Sequence, residues 1–358
     1  SDLEKVEGLK HIWGRTDLIP LWVADMDFAT APFVTDAIRK RCENEVLGYT
    51  GKPDSYYNAI INWVKQRYDL IVTKEVINFV PGIVPGIGMA MNCFTQKGDK
   101  VMIQPPVYHP FAWVTTRNER TLVINPLRWE NGMYRMDLDA FREQIKGCKL
   151  FILCNPHNPG GVVWTEAELR AIADICYDEK VLVFSDEIHA DLTLPPHTHR
   201  PFATVSEKAR MNSVTFMSPS KAFNMPGLSA SHALIFNEDL RKRFRIYMDA
   251  GELDMGHVFA FLSVEAAYSH GTEWLDQCLA YIQGNIDFVD EFLKKHAPKI
   301  KAIRPEASYL VWLDCRELEL SQKDLNEFFV DKAHLALNDG EMFGKEGIGF
   351  MRLKDRKS

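Results

Sequence analysis

Seven short apolar runs punctuate the chain, at 76–80, 101–104, 121–124, 150–154, 181–185, 213–217 and 233–236. Each has the length and the Val, Ile, Leu and Phe content of a buried strand. Most are separated by segments in which apolar residues return every three or four positions, over 54–68, 83–95, 137–146 and 165–178. Strands alternating with amphipathic helices predict an α/β fold, a mostly parallel seven-stranded sheet covered by helices. The last two runs are close enough to be joined by a loop alone. Beyond about residue 238 the pattern changes to long helices at 238–249, 257–269 and 272–296, then a strand near 308–313 and a helical run at 321–333. This predicts a large ligand-binding domain over 31–240 and a smaller α+β domain over 241–358, which an arm of residues 1–30 joins.

Composition removes several classes of function. With 46% hydrophobic and 25% charged residues in 358 positions, the chain can bury a large core in two domains. A net charge of −7 without a basic block argues against nucleic acid and anionic lipid as partners. No apolar stretch approaches the ~18 residues of a membrane span, and Ser1-Asp2-Leu3-Glu4-Lys5 carries no signal-peptide pattern. A soluble protein is expected, with a start trimmed of its Met. The seven cysteines form no Cys-x-x-Cys pair, which reads as buried thiols in a reducing cytoplasm.

The candidate chemistry lies in loops that follow the apolar runs. Gly82-Ile83-Val84-Pro85-Gly86 follows the first run and opens a helix, so its backbone N–H groups could cradle a phosphate. No Gly-Lys-Ser/Thr follows, so it is not a Walker loop. Tyr108, in a proline-stiffened loop, could stack on a flat ring or be an ordinary half-buried tyrosine. Asn158, in Asn155-Pro156-His157-Asn158-Pro159-Gly160-Gly161, could donate to a phenolic oxygen, and Asn-Pro pairs also simply form turns. Asp186 ends the next run, with His189 three residues on. Lys221 lies thirty-five residues after Asp186, preceded by Ser218 and Ser220, which flank Pro219. A lysine behind small hydroxyls, downstream of a strand-ending acid, is what holding pyridoxal 5'-phosphate (PLP) as a Schiff base requires. The lysine bonds the aldehyde, the serines face the phosphate and the acid pairs with the ring nitrogen. Ligands of open α/β sheets bind at the carboxyl ends of the strands, where these loops converge. His197-Thr198-His199 reads as surface, so no metal is expected, and Met89 and Met91 read as core packing.

The motifs together resemble a fold-type I PLP enzyme of the class I/II aminotransferase superfamily, and more narrowly the MalY/PatB-type cystathionine β-lyases, or C–S lyases. The superfamily marks are Asn158-Pro159-x-Gly161, Asp186-Glu187-Ile188-His189 and Ser218-x-Ser220-Lys221. The branch marks are Pro20 to Phe28, Gly48-Tyr49-Thr50, Lys221-Ala222-Phe223-Asn224 and Gly349-Phe350-Met351-Arg352-Leu353. The resemblance runs from Leu18 to Leu353. It implies that Lys221 is the Schiff-base lysine and Asp186 the ring-nitrogen partner, with Asn158 and His189 near the phenolic oxygen. Tyr108 would stack on the ring, and Ser218, Ser220 and the backbone of Ile83 and Val84 would hold the phosphate. Tyr49 would reach the site from the other subunit of a homodimer, Arg352 would grip the substrate carboxylate, and the Trp22 to Phe28 loop, Ala24 included, would line the substrate entrance. Two departures stand out. Ser229 occupies the position where many transaminases carry a phosphate-binding arginine, as the lyase branch also lacks it. The family usually continues past Arg-Leu with Asn and a terminal helix, whereas this chain ends in Lys354-Asp355-Arg356-Lys357-Ser358, an apparently shortened small domain.

The resemblance thus implies a cytoplasmic PLP enzyme that cleaves L-cystathionine or related S-substituted cysteines to a thiol, pyruvate and ammonia. Lys221 would act as general base, and Lys221 or Tyr49 would protonate the leaving sulfur. Two alternatives stay open: an aminotransferase, which shares the same cofactor residues, and a PLP-binding regulatory protein with weak catalysis.

Overall fold

The computed structural model describes residues 2–354. The readings of a trimmed start and a shortened end fall on residue 1 and on 355–358, which lie outside the described residues. All seven apolar runs become strands of one sheet: β1 (Ile77–Val80), β2 (Lys100–Ile103), β3 (Thr121–Ile124), β4 (Cys148–Cys154), β5 (Leu182–Asp186), β6 (Ser213–Met217) and β7 (Ser231–Leu234). Their order is β1-β7-β6-β5-β4-β2-β3, and β7 alone runs antiparallel to its neighbours. An antiparallel neighbour needs no crossover helix, so β6 and β7 are joined by the loop that carries Lys221.

The runs read as continuously apolar because both faces of the sheet are covered. Val101, Ile103, Leu150 and Ile152 pack with helices Ile83–Phe94 and Glu238–Asp249 on one face. Met102, Phe151, Leu153 and Val183 pack with helix Glu166–Asp178 on the other. At the far end of that second face, Ile77, Phe79, Met217 and Leu234 meet helices Asp54–Tyr68 and Val258–His270. Thr165 and Glu168 close the start of helix Glu166–Asp178 with reciprocal side-chain bonds, as their spacing implies. Met91 is buried in the first of these layers, with Met89 packed against it.

A second, antiparallel sheet has the order β8 (Lys301–Ile303), β9 (Leu310–Asp314), β11 (Phe350–Lys354), β10 (Asn338–Asp339). The strand expected near 308–313 is β9. The helical run expected at 321–333 is one short helix, Gln322–Glu327, followed by a wider π turn over Phe328–Lys332. Ile19–Pro20 pairs in parallel with Leu335–Ala336 as a separate two-stranded sheet, and the Lys354 amide of β11 donates to the Leu21 carbonyl, which ties the N-terminal arm to the second sheet. Several elements escaped the hydrophobic pattern, among them helices Asp2–Trp13, Pro32–Cys42 and Pro110–Arg117, the hairpin Arg128–Glu130 with Met133–Arg135, and β11 itself. Helix Asp2–Trp13 mixes charged and apolar positions, and the hairpin strands have three residues each, too short to show a period. Among the described residues no helix is long and apolar enough to cross a membrane.

The two sheets are stitched at Gly161. Its carbonyl accepts from the amides of Glu306 (2.8 Å) and Ala307 (3.1 Å), on the approach to β9. Its φ is +68°, and a Cβ there would stand 2.5 Å from Pro305 Cβ. The glycine of the Asn-Pro-x-Gly motif is therefore set by both backbone conformation and close approach. Gly132 also has positive φ (+79°) but faces open space. In urea unfolding, Gly161→Ala should cost about 3 kcal/mol, strain plus overpacking, and Gly132→Ala only about 1 kcal/mol. Equal costs would show that the contact with Pro305 contributes nothing.

Candidate active site

Strands β1 to β6 all end at one edge of the large sheet, and β7 begins there; the loops after β1, β2, β4 and β5 and the loop joining β6 to β7 line a cavity of about 220 Å³. Among the expected site residues, Ala24, Ile83, Val84, Tyr108, Asn158, Asp186, His189, Ser220 and Lys221 all line it. Three expected residues do not. Ser218 is buried beneath the wall, where its hydroxyl donates to the Ala230 carbonyl (2.8 Å) and lies 2.9 Å from Ser220 Oγ. It braces the lysine loop, and Ser220 is the serine that lines the cavity. Arg352 stands behind Asn158 and reaches it through a hydrogen bond. Tyr49 is 98% exposed on a loop between helices.

Burial dominates the electrostatics. Asp186 sits at the end of β5 with the amide of Ile188 donating to Oδ1 at 3.1 Å. Desolvation pushes its carboxyl up to about 7, opposed by that amide and by Lys221. His189 is also buried, its Nδ1 has no partner within the protein, and loss of solvent lowers it to about 3, so the ring is neutral. Arg352 is 3% exposed. Its guanidinium donates to Asn158 Oδ1 (3.1 Å), Asn338 Oδ1 (2.5 Å) and the Trp22 carbonyl (3.0 Å), while Nε is left without a partner. Burial lowers it to about 10, and its plane lies over the Phe343 ring at 4.8 Å. Because Asn158 Oδ1 is taken by Arg352, the amide nitrogen is the end that could donate to a ligand oxygen. Burial also raises the Tyr108 hydroxyl.

Lys221 Nζ donates to the Ala24 carbonyl at 2.5 Å, and the same oxygen accepts from the Tyr309 hydroxyl at 2.9 Å. The Trp22 to Phe28 segment is held from other sides too. Asn224, at φ +52°, accepts from the Met26 amide and donates to the carbonyls of Met26 and Phe28. Lys354, fully buried, places Nζ 3.3 Å from Asp25 and 2.9 Å from Asp27. The branch motifs around Trp22, Asn224 and Arg352 are thus one contact surface. Sequence reading missed Tyr309, Asn338 and Lys354, since a tyrosine in an apolar strand looks like core and a lysine near a chain end looks like surface. The expectation of a surface pair at His197 and His199 needs correction. His199 is buried with Nε2 2.8 Å from Glu187 Oε2, and Glu187 also accepts from Ser185 Oγ and the Phe202 amide. A carboxylate twelve residues upstream has no spacing signature.

These residues fit PLP. The helix beginning at Ile83 has no side chain capping its start, so its first-turn amides suit a phosphate. The buried Asp186 carboxyl suits a cationic ring nitrogen, and the amide of Asn158 suits a phenolic oxygen. The family model described as aminotransferase class I and II matches residues 16–354. The chain is 39% identical to cystathionine beta-lyase PatB of Bacillus subtilis (strain 168) over 345 residues, which is 96% of this chain and 89% of that protein. Cystalysin from Treponema denticola, whose crystal structure contains a PLP cofactor, superposes with a TM-score of 0.94 at 34% identity, covering 98% of this chain and 90% of that one. A PLP-bound C–S lyase from Staphylococcus hominis superposes with a TM-score of 0.89 at 34% identity, with the same coverage.

The raised Asp186 carboxyl has a consequence for stability. Below its unfolded value of 3.8 it is protonated in both states and contributes nothing. From there to about 7 the unfolded chain ionises while the folded one keeps its proton, so stability falls as pH rises. Above about 7 the full penalty remains. Asp186→Asn in the ligand-stripped chain should therefore raise the urea midpoint at about pH 8, by an amount that shrinks toward about pH 4. A gain of the same size at every pH would show that Asp186 is not destabilised by ionisation.

Proposed function

The chain belongs to the aminotransferase class I and II family, and from that premise we propose that it cleaves L-cystathionine or related S-substituted cysteines. It is a PLP-dependent enzyme of the C–S lyase type that acts on small amino-acid substrates. The balanced reaction is a thioether of cysteine plus water giving a thiol, pyruvate and ammonia. The observation that carries the reading is the convergence of Lys221, Asp186 and Asn158 on one cavity, with Arg352 bonded to Asn158 from behind. The 39% identity to a cystathionine beta-lyase over 96% of the chain supports the substrate class.

PLP, when bound, supplies an aldehyde that a substrate amine can join and a ring that draws electrons from the substrate Cα. Lys221 Nζ is the base that takes the Cα proton and, with Tyr49, a candidate to return a proton to the departing sulfur. Asp186 holds negative charge against the ring nitrogen, in a site dry enough for that charge to act strongly. Arg352 offers its buried guanidinium to the substrate carboxylate, and this fixes which Cα bond faces Lys221. Tyr108 would cover the ring, His189 and Asn158 would hold its phenolic side, and Ser220 with the amides of Ile83 and Val84 would receive the phosphate, while Ser218 braces Ser220. The Trp22 to Phe28 segment excludes water on the entrance side.

The working unit in this reading is a homodimer in which Tyr49 completes the other subunit's site. Tyr49 (98% exposed) lies beside Val46 (71%) and Leu47 (64%), an apolar tip suited to burial against a second copy.

With L-cystathionine and no keto-acid acceptor, equal and continuing release of thiol and pyruvate is expected, and Lys221→Ala should abolish it. Turnover that requires a keto acid would replace the reading with an aminotransferase. Mixing Lys221→Ala subunits with inactive Tyr49→Ala subunits should restore roughly a quarter of wild-type activity, since half the dimers carry one intact site. No restoration would mean that each subunit builds its site alone.

A further inference from the structure

Lysine has a long, flexible stem, and holding its amine at one point costs rotamer entropy unless a fixed acceptor receives it. The Ala24 carbonyl accepts from Lys221 Nζ, and it belongs to an irregular segment with no strand pairing to fix it. A carbonyl oxygen has two lone pairs. Lys221 takes one, and the Tyr309 hydroxyl takes the other at 2.9 Å. Tyr309 is 2% exposed and leads directly into β9. Its neighbour Ser308 donates its amide to the Leu192 carbonyl. The tyrosine is therefore anchored between the two sheets, and its hydroxyl transmits that rigidity to Ala24.

From this geometry we propose that Tyr309 is a positioning residue for Lys221, fixing through the Ala24 carbonyl the place from which the lysine amine reacts. The inference rests on the reading of Lys221 as the reactive amine. It is independent of whether elimination or transamination follows, since both use that lysine. It assigns a role to a hydroxyl that would otherwise only satisfy a buried carbonyl.

The test uses the full chain, stripped of cofactor and recharged. Lys221 captures PLP when Nζ forms a C=N bond to the aldehyde carbon, the aldehyde oxygen leaves as water, and a visible band reports the product. Pyridoxine 5'-phosphate keeps ring and phosphate but has no aldehyde, so its affinity reads the pocket without the lysine. Tyr309→Phe keeps the buried ring and removes only the hydroxyl. Capture should slow about fivefold to tenfold, the range one neutral hydrogen bond commands, with unchanged affinity for pyridoxine 5'-phosphate. In the recharged enzyme kcat should fall by a similar factor with KM little altered. An unchanged capture rate overturns the inference. So does a parallel loss of capture and of pyridoxine 5'-phosphate affinity, or failure of the variant to fold, because either makes the hydroxyl a general structural bond. If wild-type chain captures PLP but Lys221→Ala captures it equally, the functional reading fails instead.

Discussion

The structure depends on satisfying the part-buried carbonyls of the irregular segment 21–28. This stretch crosses between the two sheets without regular structure, so its carbonyls have no ladder to join, and leaving such groups buried without donors is costly. The donors that meet them are side chains with chemistry of their own. Arg352 takes the Trp22 carbonyl, Lys221 and Tyr309 share that of Ala24, and Asn224 takes those of Met26 and Phe28. The amide of Lys354 takes the Leu21 carbonyl. One irregular segment is thus held by groups from the loop that carries Lys221, from the approach to β9 and from β11, and the placement of Lys221 and of Arg352 cannot be separated from it.

Around this clasp the site is built from charges and polar groups removed from water. Asp186 is driven up, His189 and Arg352 are driven down, and in each case burial is the largest cause. Such groups weaken the folded chain when left alone and act strongly on a ligand that compensates them. Their tolerance here comes from the surroundings: a large sheet buried on both faces, and a glycine stitch that lets the second sheet come close.

Much of the fold was legible because burial on both faces leaves a one-dimensional trace. All seven apolar runs became strands of the large sheet, and the loops that follow them carry the residues singled out for chemistry. The missed elements leave no such trace. The hairpin at 128–135 is too short to show a period, and β11 is recognisable only as a motif around Arg352. His199 was misjudged, and Lys354 went unremarked, because a polar residue in a polar stretch shows no partner until the distant one, Glu187 or the Asp25 and Asp27 pair, is known.

By itself the sequence determined the layered α/β architecture, the loops that would gather at one edge, and the residue types that suit PLP, because local periodicity and local spacing encode them. Tertiary structure alone decided that Ser218 braces while Ser220 lines the cavity, that Asn158 is oriented by Arg352, and that Tyr309 meets Lys221 on one oxygen. Those pairings join residues up to 285 positions apart, and hydrogen-bond direction between such distant groups is set by packing, which leaves no periodic mark on the chain.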